Sequence, residues 1–559
     1  MKKIENKLKL LFNNKYLLLI VIALFGISVS WPLFKNGYFS HQDDLQIIRI
    51  FEMRKCFSDF QIPCRWVPDM GWGNGFPLYN FYGVSTYYLG AIISFFIGFI
   101  NASKLLFFIA LTVGSFGIYL LVKDIWGKYA GLTSAALYIF APYKALDIYV
   151  RGALSESMAL TLIPFVFYFG YKIITSSNKK INSIYFTVSL SIFLITHNIM
   201  TVLFLPILLL WLIYWLAENK FISIKLVIAT LLFAFGLSSF FTLPAFFEKN
   251  LVQTESLTRF ELDYRANFVS IKQLFLDRVW GYGTSIPGPE GGMNFQIGWP
   301  HWILSLFPVV FIFSKKIKKK TKFLVSGILG VFLLSIFMTH NKSAFIWERI
   351  NILTFFQFPW RFLSLSIFTA SILGGFVIFV FKEKWQILLS LIIITLSIFL
   401  NWSYFKPREF YNISDSEKLS GELWEQQRKG AILDYLPKTA LEPREAAPTT
   451  PTIVSGEAEI ANFKNYSNSW KFNATVFEYS EIHLPTYYFP NWIVKVDNKI
   501  YPSNHDNLLG RISVDLDKGS YEVQGHFKNS PLRTVSNVLS LFSAISFIAF
   551  IKWKKYKNL

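Results

Sequence analysis

Residues 35–83 hold the densest set of groups able to do chemistry. The run FSHQDDLQIIRI sets Asp43 beside Asp44, and Arg49, Arg65, Trp66 and Asp69 follow before a Gly- and aromatic-rich stretch that ends at Tyr82. A carboxylate at a membrane edge suits two tasks: general base toward an acceptor hydroxyl, or oxygen ligand to a divalent cation. A third role is structural, because Asp favours helix starts and residues 42–60 read as a short helix near the membrane. If both residues were helical, their side chains would point ~100° apart and only one would face a site. Cys56 and Cys64, the only two cysteines, fall in the same segment. They form a disulfide in an oxidising compartment, with Pro63 bending the chain between them, or stand as two free thiols. Their spacing fits neither a redox nor a zinc motif.

Other chemistries are disfavoured by their missing signatures. The seven histidines are scattered, and no pair has metal-ligand spacing, so no zinc site is expected. The run GYGTSIPGPEGG lacks the Lys-Ser/Thr of a phosphate-binding loop, which argues against a nucleotide. No haem motif is present.

The elements that must position these groups are membrane helices. The chain has 559 residues, 53% hydrophobic, 18% aromatic and only 16% charged, against roughly 25% charged in a soluble domain. Apolar runs fall at 16–34, 84–100, 104–122, 129–143, 157–175, 182–196, 199–216, 222–247, 299–314, 322–338, 360–381, 385–401 and 534–552. Each approaches the roughly 20 residues needed to span a bilayer. The net charge of +20 does not signal nucleic acid. Its lysines flank the apolar runs: Lys2, Lys3, Lys7 and Lys9, then Lys315 to Lys322, then Lys552 to Lys557. That is the pattern of cytoplasmic loops and tails. Both termini are therefore expected inside. An even number of crossings, about 12, then requires one re-entrant or interfacial element between 84 and 122. Four segments face the other side: 35–83, 248–298, 339–359 and 402–531.

The segment 402–531 carries 14 Lys/Arg against 17 Asp/Glu. From about residue 457 it alternates polar and apolar residues in short runs such as WKFNATVFEY and RISVDLDKGSYEVQGHF. Turn signals at Asp497-Asn498 and Lys518-Gly519 complete the signature of a small β-sandwich. The stretch EPREAAPTTPT reads as a linker or exposed loop.

Several runs together carry a family resemblance: HQDDLQIIRI…QIPCRWVPDMGWGNGFPLYNFY, YVRGALSESMAL, THN, GYGTSIPGPEGGMNFQIGW, IWERINILTFFQFPWRFL, DYLP and YYFPNWIVKVDNK. The chain resembles bacterial membrane proteins labelled 6-pyruvoyl-tetrahydropterin synthase-related, which are similar to YfhO-like proteins and to glycosyltransferases of the GT-C fold. The label does not describe chemistry here, since no three-histidine zinc set is visible. The resemblance implies an all-α polytopic membrane protein of about 12–13 helices, with a small extracytoplasmic β domain before the last helix. Residues 1–401 would form the GT-C-like unit, 402–531 the β-rich domain, and 532–559 the last helix and basic tail.

The same resemblance implies a reaction. A sugar would pass from a polyprenyl-phosphate donor in the bilayer of a bacterial cytoplasmic membrane to an envelope glycan, lipid or protein. Asp43 or Asp44 would serve as base or metal carboxylate. Arg361 and Arg151 would meet the donor phosphate, because guanidinium forks suit phosphate oxygens. Glu156, Arg65 and Asp69 join the substrate-binding candidates. Plainer readings stand beside these. Arg151 and Glu156 make a structural pair, Arg361 snorkels to the interface, His197-Asn198 is a polar turn, and Trp280, Trp299, Trp302, Trp347 and Trp360 form an interfacial belt. Two rival classes are a lipid-linked glycan transporter and a non-catalytic assembly protein that keeps the fold.

Overall fold

The computed structural model describes residues 15–286, 292–315 and 317–552. The basic residues expected inside at Lys2, Lys3, Lys7, Lys9, Lys316, Lys554, Lys555 and Lys557 lie outside the described residues, as does 287–291 of the Gly-rich run. Every apolar run read from the sequence is a helix. Among the described residues nine helices are long and apolar enough to cross a membrane: Tyr16–Phe34, Phe99–Trp126, Leu154–Thr175, Asn198–Glu218, Ile224–Phe247, Lys319–Thr339, Pro359–Phe379, Glu383–Tyr404 and Pro531–Lys552. The other runs make shorter helices, Ser85–Ile97, Lys128–Ile139, Lys179–Leu194 and Trp299–Leu306. Pro359–Phe379 lies at the centre, with 94% of its apolar window buried, whereas the last helix is on the rim at 17%.

The break between residues 84 and 122 falls at Gly98. Its φ of +78° ends Ser85–Ile97 and opens Phe99–Trp126. Any side chain there would strike the Asp415 carboxylate. That carboxylate accepts the N–H groups of Phe99 (2.7 Å) and Ile100 (2.8 Å). It satisfies orphan donors and places negative charge at the positive end of the helix dipole.

The four long polar segments meet at one end of the bundle. Strand Tyr38–Phe39 pairs antiparallel with Phe410–Tyr411, and Gln42 Nε2 donates to Gly283 O (2.8 Å). The Tyr264 ring stacks on Trp347 at 5.1 Å, and Val269 N–H donates to Thr339 O. Residues 452–527 form two antiparallel sheets. One has the order Ala458–Asn465, Ser469–Val476, Gly519–Phe527, Trp492–Val496, Lys499–Tyr501. The other runs Thr452–Ser455, Ser480–Tyr487, Arg511–Leu516. Ser469–Val476 alternates buried and open positions with period two, as a sheet with one dry face requires. Trp470, Phe472, Ile482, Leu484, Ile512, Val514 and Val523 fill the space between the sheets, and Trp66 and Phe81 of the first loop join the same core.

A buried charge network ties this β unit to the last helix. Glu248 accepts from Arg533 Nε (2.8 Å), Ser530 Oγ (2.7 Å) and Asn80 Nδ2 (2.8 Å). Arg65 donates to Asn80 Oδ1, Asn537 Oδ1 and the carbonyl of Phe240, each at 2.9 Å. The Arg533 guanidinium also sits over Phe489 and Phe527. Cys56 and Cys64 are joined in a disulfide that closes the end of helix Gln46–Ser58 onto the following turn.

Two outcomes follow. Glu248→Ala leaves Arg533 fully buried without its carboxylate, at an expected cost of about 3–5 kcal/mol, read as a lowered thermal unfolding midpoint in detergent. Thiol alkylation of the denatured chain, followed by mass spectrometry, is expected to add no adduct without reductant and two adducts after reduction. Two adducts without reductant would contradict the disulfide.

Candidate active site

The first loop enters the end of the bundle as extended chain stitched to a sharp turn. Gln42 N–H donates to Val150 O (2.9 Å) and Asp43 N–H to Arg151 O (2.8 Å). Gln46 Nε2 continues the seam to Gly152 O (2.9 Å) and to Asp43 Oδ2 (3.0 Å), while its Oε1 accepts from Tyr87 OH (2.8 Å). Gly152 has φ +66°, and a Cβ there would run into the His41 ring. The turn therefore needs glycine both for backbone and for space.

Asp43 and Asp44 both precede helix Gln46–Ser58, whose cap residue is Leu45 with no side-chain cap bond. The helix-capping reading does not describe them. Each faces a cation instead. Arg49 Nη1 lies 2.8 Å from Asp43 Oδ2, and Lys418 Nζ lies 2.5 Å from Asp44 Oδ2. The Asp43 side chain keeps 32% exposure above an Arg49 that is 3% exposed. Its charge is anchored from below yet open to a ligand.

One turn away lies a denser charge cluster. Residues Leu146–Val150 form a π-helical turn, closed by Arg151 N–H to Leu146 O at 2.9 Å. Such wide turns are rare and cluster at functional sites. Arg151 Nη1 contacts Asp147 Oδ1 closely and Glu156 Oε2 at 3.1 Å. Arg361 Nε reaches the same Glu156 oxygen at 3.2 Å, and Tyr143 OH donates to Glu156 Oε1 at 2.6 Å. Arg361 Nη1 also donates to Phe356 O (2.7 Å) and Gln357 Oε1 (3.0 Å). The Arg151 guanidinium lies 4.3 Å above the Trp360 ring. Below the cluster, buried Lys144 donates to the carbonyls of Ala110 and Leu111 and interacts with Asp147. Arg151 and Arg361 thus share Asp147 and Glu156 in one buried cluster. His197 stands beside this group. Its Nδ1 accepts the Met200 N–H (3.2 Å), so the ring proton sits on Nε2.

The far wall comes from the DYLP segment. The Tyr435 ring stacks on Phe81 at 5.8 Å and meets Tyr82 at 6.3 Å, and the Arg49 guanidinium lies 4.7 Å from the Tyr82 ring. Tyr435 feels both Arg49 and Arg361, so it bridges the two cationic groups. Burial pushes the Asp434 carboxyl up to about 6. Arg49 opposes that shift and Asp43 adds to it.

The structure thus brings together Asp43, Arg151, Glu156 and Arg361 of the expected residues. Asp44 lies at the edge, held by Lys418. Arg65 belongs to the Glu248 network described above. Asp69 pairs with Lys55 Nζ (2.7 Å), and its N–H donates to Glu52 Oε1 (2.9 Å); both residues brace the first loop. Of the tryptophans, Trp360 alone joins the cluster. Trp280 stacks on Tyr404 and Trp302 meets Phe275. Asp147, Tyr143, Lys144, Asp434 and Tyr435 had no assigned role in the sequence reading. The signals were a carboxylate four residues before Arg151 and the motif DYLP itself. The divalent-cation role does not fit these residues. Asp43 and Asp44 already meet Arg49 and Lys418, and the described residues hold no group of three or more His, Cys, Asp or Glu suited to a metal.

Fold and site define a multi-helix membrane protein with a buried arginine–carboxylate cluster beneath a β unit. The family model described as "6-pyruvoyl-tetrahydropterin synthase related domain; membrane protein" matches residues 79–407, and the chain belongs to that family. An uncharacterized protein of Lactococcus lactis subsp. cremoris (strain MG1363) is 24% identical over 243 residues, which cover 40% of this chain and 38% of that relative. The arabinofuranosyltransferase AftD from Mycobacteria aligns with a TM-score of 0.43 and 11% identity, over 71% of this chain and 27% of its own. The Archaeoglobus fulgidus oligosaccharyltransferase in its apo form aligns with a TM-score of 0.36 and 13% identity, over 77% and 60%.

Gly152→Ala tests the seam. A non-glycine residue at this φ costs about 1–3 kcal/mol before the clash with His41 is counted. The expected result is a lowered unfolding midpoint, and a variant as stable as the parent would contradict the turn geometry.

Proposed function

We propose that this chain is an integral-membrane glycosyltransferase. It moves a sugar from a polyprenyl-phosphate donor to a hydroxyl of a cell-envelope acceptor on the outer face of the cytoplasmic membrane, with both termini inside. One observation carries the reading: the open carboxylate of Asp43 is stitched by its own backbone to Arg151, whose guanidinium shares the buried Glu156 with Arg361. An open carboxylate beside two buried guanidiniums suits displacement of a phosphate. The cations stabilise charge that grows on the leaving phosphate oxygens, and the carboxylate receives the attacking hydroxyl.

The residues take distinct roles. Arg361 and Arg151 face the donor phosphate, with Glu156 holding both guanidiniums in one orientation. Asp43, fixed by Arg49 and Gln46, orients the acceptor hydroxyl for in-line attack at the anomeric carbon, with inversion. Asp44, bound to Lys418, stands outside this step. Residues 1–401 supply the GT-C-like unit and 402–531 cover its outer mouth.

The test is transfer of label from undecaprenyl-phosphate-linked radiolabelled hexoses and pentoses in membranes containing the full chain. Wild type is expected to transfer label, Asp43→Asn to lose about 10²-fold or more, and Asp44→Asn to lose far less. Absence of transfer by wild type from every donor overturns the reading. Equal transfer by Asp43→Asn removes that residue from the mechanism.

A further inference from the structure

We infer that Asp434, delivered from the segment after the short helix Gly421–Lys429, is the general base that takes the acceptor's proton, while Asp43 orients the hydroxyl. The inference rests on the glycosyl-transfer reading and deepens it. It starts from what each carboxylate around the site is already doing. Asp43 is paired with Arg49 and bonded to Gln46. Asp44 is paired with Lys418. Asp147 is paired with Arg151, and Glu156 with two arginines and Tyr143. Asp434 alone of these five has neither an ion pair nor a side-chain hydrogen bond, among the described residues. It remains half-buried rather than sealed. A base that must accept a proton works best when no salt bridge already holds its lone pairs.

The backbone around Asp434 is held as firmly as a catalytic group requires. Ala431 takes a left-handed φ of +54°, and Asp434 N–H donates to its carbonyl (3.2 Å). Ser256 Oγ donates to Leu433 O (2.6 Å) and Gln253 N–H to Leu436 O (2.9 Å). Leu436 is buried in the β-unit core. The charged groups facing Asp434 are Arg49 and Asp43 from the first loop; Arg361 and Tyr87 act on the adjacent Tyr435. Burial raises the Asp434 carboxyl to about 6, close to working pH, where a general base is most effective.

The step balances. The acceptor oxygen bonds to the anomeric carbon as the bond from that carbon to the phosphate oxygen breaks. The lipid phosphate leaves with the bonding electrons, and the hydroxyl proton passes to Asp434, which later returns it to water.

The experiment measures transfer from the same undecaprenyl-phosphate-linked donors between about pH 5 and 8 for wild type, Asp434→Asn, Asp434→Glu and Asp43→Asn, each checked for folding by size-exclusion profile and unfolding midpoint. Wild-type rate is expected to rise with pH through about 6, because the base works only when deprotonated. Folded Asp434→Asn should lose at least about 10²-fold and lose that rising limb. Asp434→Glu should retain reduced transfer with a displaced limb. Residual activity of Asp43→Asn should keep a rising limb, moved to lower pH because the Asp43 charge no longer helps to raise Asp434. Asp434→Asn within tenfold of wild type with its limb intact overturns the inference and leaves the transferase reading standing. If that variant does not fold, Asp434→Glu with unchanged rate and limb overturns it equally. Wild-type silence overturns both.

Discussion

The arrangement of this end of the bundle depends on one shared carboxylate. Glu156 is almost wholly buried, and so are the two arginines it joins. Each ion removed from water costs several kcal/mol unless partners replace the lost hydration. Glu156 meets that demand with Arg151, Arg361 and Tyr143, so the run 143–156 and the distant segment carrying Arg361 must converge on one point. The π-helical turn at 146–150 widens the backbone enough to bring Asp147 to the same arginine. The positive φ of Gly152 then turns the chain so that its carbonyls face the first loop. The seam to Gln42, Asp43 and Gln46 follows from that turn.

The β unit acts on this site from a distance by clamping the chain that forms its outer wall. Tyr487 N–H donates to Asn74 O, and Tyr487 OH donates to Leu441 O. Arg511 Nε donates to Asn74 Oδ1 at 2.6 Å. The Gly510 backbone lies against Thr439 and Ala440. The same sheets therefore grip the first loop and the strap carrying Asp434 and Tyr435. The Glu248–Arg533 pair fixes the last helix to this assembly, and the disulfide fixes the turn that leads to Trp66. What looks like an appended domain is part of the scaffold that sets the distance between two aspartates more than 390 residues apart in sequence.

Helices, strands and the loop that carries the candidate site were legible in the residues because those signals are local. A run of apolar residues makes a helix in a bilayer whatever its neighbours, since every backbone polar group must be satisfied within the segment. Alternation in 469–476 makes a strand with one dry face. The clustering of Asp43, Arg49 and the two cysteines in one loop marked the place. The roles of individual charges were not legible in this way. Asp43 and Asp44 are neighbours of one residue type, yet one meets Arg49, six residues on, and the other meets Lys418 from a distant segment. Arg65, a substrate-binding candidate, bonds Asn80, Asn537 and the Phe240 carbonyl instead of joining the Glu156 cluster. Asp434 sits in the four-residue run DYLP, which carried no assigned role, and it stays half-buried and unpaired only where the strap crosses the first loop. The sequence by itself determined a basic, many-helix membrane chain with a β unit before its last helix, because hydropathy and periodicity are properties of a segment. Only the tertiary structure decided which carboxylates meet a cation and which one stays unpaired, because charge pairing depends on distances between segments that the chain order does not contain.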